Sequence, residues 1–138
     1  MKDGELVEFV LAFAEEVNAL QRRYAPLLAS ERVRGRSAAF LEAYRAEAGL
    51  IYARYLTKRE RTYYAPISDP PTYAAMDEMT LSTVERVKNR AVVEILTSEG
   101  RLDYRFKLVC EGGAWRINSY QQRLHTEFYI RRWVYGDF

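Results

Sequence analysis

Cysteine and histidine are almost absent from this 138-residue chain, which holds one of each, Cys110 and His125. A single cysteine excludes an internal disulfide framework and a cysteine-rich zinc site, and it fits a reducing compartment. A lone histidine cannot assemble a metal site by itself. We therefore expect a chain that needs no metal, cofactor or disulfide, at a length that is ordinary for one domain.

Long apolar runs and a strong net charge are also missing. The longest uncharged apolar stretch near the amino terminus, residues 9–14, spans six residues, whereas a membrane span needs about 20. The charged start does not have the pattern of a signal peptide. The formal net charge is only +2, although 17 of the 21 basic residues are arginine. These features favour a cytoplasmic protein with no membrane and no nucleic-acid partner.

The first half of the chain has the period of amphipathic helices. Apolar residues recur at alternating steps of four and three over residues 6–24, which places them on one face of a helix. A second stripe runs over 40–55, after Ser37 as a candidate N-cap. The basic segment 29–36 between them is interpreted as a connection. The sequence thus predicts a helical part over 4–62.

Prolines are concentrated in one short segment. Three of the four fall within residues 65–73, which cannot be regular structure because proline fixes φ and lacks an N–H donor. Aromatic residues flank this proline loop and must pack somewhere. We therefore interpret it as a packed hinge between two parts of one domain, and not as a flexible linker.

The second half of the chain changes to a period of two. In the stretch 102–109, apolar residues alternate with mostly charged ones, as on a strand with one buried face. Gly112 and Gly113 follow, and glycine accepts the positive φ that a tight hairpin turn requires. The segments 81–87 and 91–97 predict an earlier hairpin. Together these segments predict a four-stranded antiparallel meander.

Helices followed by such a sheet predict an α+β fold, with the helices packed on the concave apolar face of a curved sheet. We predict one domain over 1–138, with the sheet part at 79–122 and an aromatic tail at 123–138. The residues expected in its core are Phe13, Val17, Tyr104, Phe106, Trp115 and Ile117. The strand 91–97 is apolar on both faces, so we expect a further segment to cover its second face, at Val92 and Leu96.

Two short motifs carry a resemblance to a known family. They are the loop Asp69-Pro70-Pro71-Thr72-Tyr73 with Asp77-Glu78-Met79 after it, and the hairpin end Gly112-Gly113-Ala114-Trp115-Arg116-Ile117-Asn118. With the order of elements, these motifs resemble the nuclear transport factor 2-like superfamily, and within it the immunity proteins of bacterial polymorphic toxin systems. The family closes the second motif on Asp, where this chain has Asn118. The resemblance implies a cone-like fold and a protein that binds and neutralises a cognate toxin.

The alternative function is that of an enzyme or small-ligand carrier that uses the cone as a pocket. Enzymes of this superfamily, such as ketosteroid isomerase and scytalone dehydratase, use a pocket carboxylate, often with His or Tyr. Here Asp103 falls on the charged face of its strand and is expected to be solvated, as are Asp77 and Glu78. His125 has Glu127 as its nearest carboxylate in sequence, and we expect neither to do chemistry. The sequence predicts no catalytic residue, cofactor or metal.

The aromatic tail is the strongest candidate for binding a partner, because Trp, Tyr and Arg are enriched at interface hot spots. The predicted partner-binding residues are Tyr129, Arg131, Arg132, Trp133 and Tyr135. The same aromatic residues can instead cover the second face of the strand 91–97, and both roles stay open. The expected partner is a cognate toxin, bound by a monomer or a homodimer. Two basic clusters, over 22–36 and 54–61, are expected to be solvated ends and loops.

Overall fold

The computed structural model describes residues 1–59, 61, 65–129 and 131–136. The helices are α1 at Asp3–Tyr24, α2 at Leu28–Val33 and α3 at Ser37–Tyr55, and short 3-10 turns lie at Ala25–Leu27 and Ala74–Glu78. The strands are β1 at Leu81–Val87, β2 at Arg90–Leu96, β3 at Leu102–Glu111, β4 at Ala114–Leu124 and β5 at Val134–Tyr135. This order of helices followed by a curved, unclosed antiparallel sheet confirms the predicted α+β class. Residues 60 and 62 of the predicted helical part, and 130, 137 and 138 of the predicted tail, lie outside the described residues.

The strands of the sheet pair in chain order, each antiparallel to the next. Gly112 and Gly113 form the turn between β3 and β4 with φ of 56° and 82°, as the glycine pair predicts. The register shifts by one residue between Lys107 and Leu108, so Asn118 on β4 is an extra residue opposite them. Such a bulge bends a strand and increases its twist, which curves the sheet toward the helices. The tail adds a fifth strand to the predicted four.

The connection between the long helices differs from the prediction in two details. Residues 29–36 are interpreted from the sequence as a connection, and in the structure the short helix α2 occupies Leu28–Val33. Pro26 stands at the start of a 3-10 turn, where the missing N–H of proline costs nothing, so the chain continues in a helical direction. Ser37 is the first residue of α3, and Arg36 occupies the N-cap position instead.

The core lies between α1 and the concave face of the sheet. The six residues that the sequence placed there are all buried: Phe13, Val17, Tyr104, Phe106, Trp115 and Ile117. Tyr73, from the proline loop, is fully buried among them. Its ring centroid lies 5.7 Å from that of Phe13, 5.8 Å from that of Phe106 and 5.3 Å from that of Tyr120. These are distances at which aromatic pairs stabilise a core beyond the area that they bury.

Two buried amide side chains of α1 hold the proline loop against this core. Gln21 donates from Nε2 to the carbonyl oxygen of Pro66 at 2.8 Å and accepts at Oε1 from the Thr72 N–H at 2.7 Å. Asn18 accepts at Oδ1 from the Tyr73 N–H at 2.9 Å. A loop has no ladder of its own, so these bonds satisfy backbone groups that burial would otherwise leave unpaired.

Tyrosine hydroxyls from the other elements complete the attachment of the loop. Tyr44 on α3 donates to the Ala65 carbonyl at 2.7 Å, and the Ala65 N–H donates to the Tyr52 hydroxyl at 2.9 Å. Tyr104 on β3 donates to the Thr72 carbonyl at 3.0 Å. Burial raises the pKa of Tyr44, Tyr52 and Tyr104 above the usual phenol value, which keeps all three hydroxyls neutral.

We predict that Gln21→Ala destabilises the fold by about 2–4 kcal/mol, because buried groups of Pro66 and Thr72 lose their partner. Urea unfolding at neutral pH measures this loss. Gln122→Ala is the matched control, since Gln122 is half-buried and its side chain forms no hydrogen bond to any residue that the structure describes. The control is expected to cost under about 1 kcal/mol. Equal midpoints for Gln21→Ala and the unaltered chain would show that the loop does not depend on this amide.

Candidate partner-binding surface

The aromatic tail returns along the edge of β4 and places Trp133 and Tyr135 against the outer face of the sheet, the side away from the helices. Its strand β5 pairs with β4, with Val134 opposite Gln122 and Tyr135 opposite Gln121. The next residue, Gly136, donates its N–H to the Tyr120 carbonyl at 3.1 Å. A Cβ added at Gly136 would lie 1.9 Å from Cζ of the Tyr120 ring. Only glycine fits this close approach, which fixes where the tail docks.

Trp133 attaches the tail to two arginines of the outer face. The guanidinium carbon of Arg105 on β3 lies 4.4 Å from the Trp133 ring centroid, and that of Arg123 on β4 lies 4.1 Å from it. Both distances are within the range of cation–π attraction. We call these three residues the arginine–tryptophan cluster. Arg105 donates to Glu94 on β2 from Nε at 3.1 Å and Nη2 at 3.0 Å, so its charge has a carboxylate partner on the same face.

Asp103 neutralises the second arginine and is itself fully buried, at 0% exposure. The prediction that Asp103 is solvated is therefore wrong. Its carboxylate accepts from the Thr97 N–H at 2.8 Å and from Nε of Arg123 at 3.3 Å, and Nδ1 of His125 lies 3.0 Å from Oδ2. Asp103 is buried although it lies on the outer face of β3, because the first residues of the tail fold over this end of the strand.

His125 serves as an anchor for the start of the tail. The sequence paired it with Glu127, but the structure pairs it with Asp103. Its backbone N–H donates to the Arg101 carbonyl at 2.7 Å and its carbonyl accepts from the Gly100 N–H at 3.0 Å. Within the described ranges, no group of three or more His, Cys, Asp or Glu residues can hold a metal ion.

The two acidic residues after the proline loop lie on the surface, as the sequence predicted. Asp77 pairs with Arg22 at 3.5 Å, and Glu78 pairs with Arg101 at 2.7 Å. Exposed ion pairs of this kind stabilise a protein by about 1 kcal/mol or less. Neither carboxylate points into the concave face, where Tyr73 and its neighbours fill the space.

The remaining predicted binding residues form an exposed strip beside the arginine–tryptophan cluster. Tyr135 accepts from Nζ of Lys107 at 2.9 Å, and Tyr129 accepts from Nη2 of Arg131 at 2.6 Å. Arg132 is exposed and forms no hydrogen bond or ion pair with the described part of the chain. We call this strip, with the exposed Phe128, the tail surface: it comprises Lys107, Phe128, Tyr129, Arg131, Arg132 and Tyr135.

Trp133 differs from the other predicted binding residues because it is half-buried in the arginine–tryptophan cluster. The contacts that the structure gives for Trp133 are with Arg105 on β3 and Arg123 on β4. Val92 and Leu96 on β2, over which the sequence predicts a cover, are half-buried. The tail thus both packs on the sheet and presents an exposed strip.

A cleft of about 430 Å³ separates the proline loop from β5. Pro66, Pro70 and Pro71 line one side, and Tyr120, Tyr135 and further residues line the other. Its described lining holds no carboxylate and no histidine. It therefore lacks the acid–base pair that the superfamily's enzymes use.

One family model matches residues 8–134 of this chain, and its description is NTF2 fold immunity protein, where NTF2 stands for nuclear transport factor 2. The match extends from α1 to the first residue of β5. It confirms the resemblance carried by the proline loop and the closing hairpin. Neither the curated proteins nor the solved structures gave a match. In the described part of the chain, no helix is long and apolar enough to cross a membrane.

We predict that Asp103→Ala destabilises the protein by about 3 kcal/mol, because it leaves Arg123 without its buried carboxylate. His125→Ala is expected to weaken the same anchor, although the sequence predicts no chemical role for His125. Asp77→Ala is the control, since the Asp77 side chain is 74% exposed and its loss costs under about 1 kcal/mol. Thermal melts measure stability, and limited trypsin cleavage after Arg131 or Arg132 reports release of the tail. An unchanged melt and an uncleaved tail in Asp103→Ala would contradict this account of the anchor.

Proposed function

Because this chain belongs to the family of NTF2 fold immunity proteins, we propose that it protects its producer by holding a cognate toxin in a stoichiometric complex. Membership of that family indicates a non-enzymatic binding role. We place the chain in the bacterial cytoplasm, because its single cysteine fits a reducing compartment. The complex holds one toxin per chain, whether the free chain is a monomer or a homodimer.

The tail surface is the proposed binding site, and its exposed aromatic and arginine side chains are the observation that carries this proposal. Phe128 is 87% exposed, Tyr129 is 56% exposed and Tyr135 is 62% exposed. Large aromatic rings at such exposure cost free energy in water unless a partner covers them. Arg131 and Arg132 lie among them, in the residue composition of interface hot spots.

Packing of the tail supports this role because it reduces the ordering cost of binding. The His125–Asp103 contact holds the backbone before residues 128–132, and the arginine–tryptophan cluster and the β4–β5 pairing hold it after them. A surface that is already ordered loses less conformational entropy when a partner binds. The filled interior also favours a binding role over a ligand pocket, because Tyr73 occupies the space that a pocket would need.

We predict that Arg131→Ala and Arg132→Ala each weaken toxin binding by roughly 30-fold, the effect of losing about 2 kcal/mol at a hot spot. The measurement is calorimetric binding to the toxin encoded beside the gene, with thermal melts to show that each variant folds. Arg45→Ala is the matched control, because Arg45 on α3 is exposed and has no carboxylate partner among the described residues.

Two results would contradict parts of this proposal. If the unaltered chain neither binds nor neutralises the adjacent toxin, the proposed function is wrong. If it binds but both arginine variants keep full affinity and stability, the tail surface is not the interface. The search then moves to the loop at Pro70 and Pro71 and to the outer face of β3 at Arg105 and Lys107.

A further inference from the structure

Five cations of the outer sheet face lie in or beside the tail, and they fall into two groups. Arg105 and Arg123 each contact a carboxylate, Glu94 and Asp103 respectively. Lys107, Arg131 and Arg132 have no carboxylate partner in the part of the chain that the structure describes; they form the second group. Only this second group belongs to the tail surface.

Two of the uncompensated cations are nonetheless held in place. Lys107 lies 5.1 Å from the Tyr135 ring centroid, and the Arg131 guanidinium lies 4.9 Å from that of Tyr129. A neutral phenol orients a cation without cancelling its charge. The charge therefore remains available to a partner, while part of the side-chain entropy is already lost in the free protein.

Two acidic residues of the described part of the chain lie near the tail surface but do not offset this group. Glu127 and Glu99 meet at the β2–β3 turn, where the Glu127 N–H donates to the Glu99 carboxylate at 2.8 Å. Neither forms an ion pair with Lys107, Arg131 or Arg132. The described side chains of the tail surface are thus aromatic or positively charged.

We propose that the tail surface recognises an acidic patch on the toxin, with Lys107, Arg131 and Arg132 facing carboxylates of the partner. This inference rests on the proposed function and adds the chemistry of the partner's contact surface. Arginine suits this task because its planar guanidinium binds carboxylates with two parallel hydrogen bonds. The toxin is accordingly engaged at an acidic surface, unlike the basic groove with which a nuclease binds nucleic acid.

A second basic feature lies in the helical layer and serves as the comparison. Arg32 and Arg34 flank Val33 at the end of α2, and no described carboxylate pairs with either arginine. We call residues 32–34 the α2 elbow. No described aromatic ring holds these two guanidinium groups, so the elbow lacks the ordered aromatic frame of the tail surface. It carries two arginine charges, as many as Arg131 and Arg132 supply, without the same preorganisation.

Charge reversal at the tail surface and at the α2 elbow distinguishes an effect of local charge complementarity on toxin binding from an effect of the net charge of the chain. The double variant Arg131→Glu/Arg132→Glu changes the net charge as much as Arg32→Glu/Arg34→Glu does. Association rates with the adjacent toxin are measured by stopped flow at about 0.05 M and about 0.5 M salt, which brackets strong and weak screening. We expect the tail variant to associate about tenfold more slowly or worse at low salt, with a smaller difference at high salt. The elbow variant stays within about twofold of the unaltered chain.

Several outcomes would overturn the proposal. Equal slowing in both double variants would assign the effect to net charge, and unchanged association of the tail variant would remove these arginines from the interface. Faster association of the tail variant would show that the toxin patch is basic. Should the glutamate variant fail to fold, Arg131→Gln/Arg132→Gln replaces it, with slower association and a shallower salt dependence as the expected result. Absence of any binding by the unaltered chain would instead refute the proposed function itself.

Discussion

Two buried amides on α1 hold the proline loop, and the rest of the molecule is arranged around that contact. Asn18 and Gln21 satisfy backbone groups of a segment with no secondary structure of its own, which is the condition for burying a loop. The attached loop places Tyr73 at the centre of the aromatic core. Because that ring fills the concave face, we place the proposed binding site on the outer surface.

The outer surface is organised by a chain of charge contacts that ends in exposed groups. Buried Asp103 holds Arg123, and Trp133 bridges Arg123 to Arg105, which Glu94 neutralises in turn. In these contacts Arg105 and Arg123 are neutralised by carboxylates of the same chain, and they fix the tail on the sheet. Lys107, Arg131 and Arg132 have no carboxylate partner among the described residues. This difference makes the tail surface a specific candidate for binding an acidic partner.

The fold was predictable from periodicity, while the anchoring of the tail was not. The stripe on α1, the alternation on β3 and the Gly112-Gly113 turn each reflect local geometry, which a sequence records directly. The burial of Asp103 has no such local signature. Its alternation marks it as solvent-facing, and only the return of the tail, a contact between residues far apart in sequence, encloses it. Likewise, Trp133 was identified as a binding residue by its type, but its position between Arg105 and Arg123 depends on tertiary structure.

The most direct test of this account is hydrogen–deuterium exchange of the chain alone and in complex with its adjacent toxin. Exchange reports local protection of backbone amides, so it locates an interface without altering any residue. The account predicts that binding slows exchange over residues 127–136, with little change on α1 and at the α2 elbow. Protection of α1 or the elbow, with the tail exchanging at its free rate, would contradict the assignment of the tail surface as the site of toxin binding.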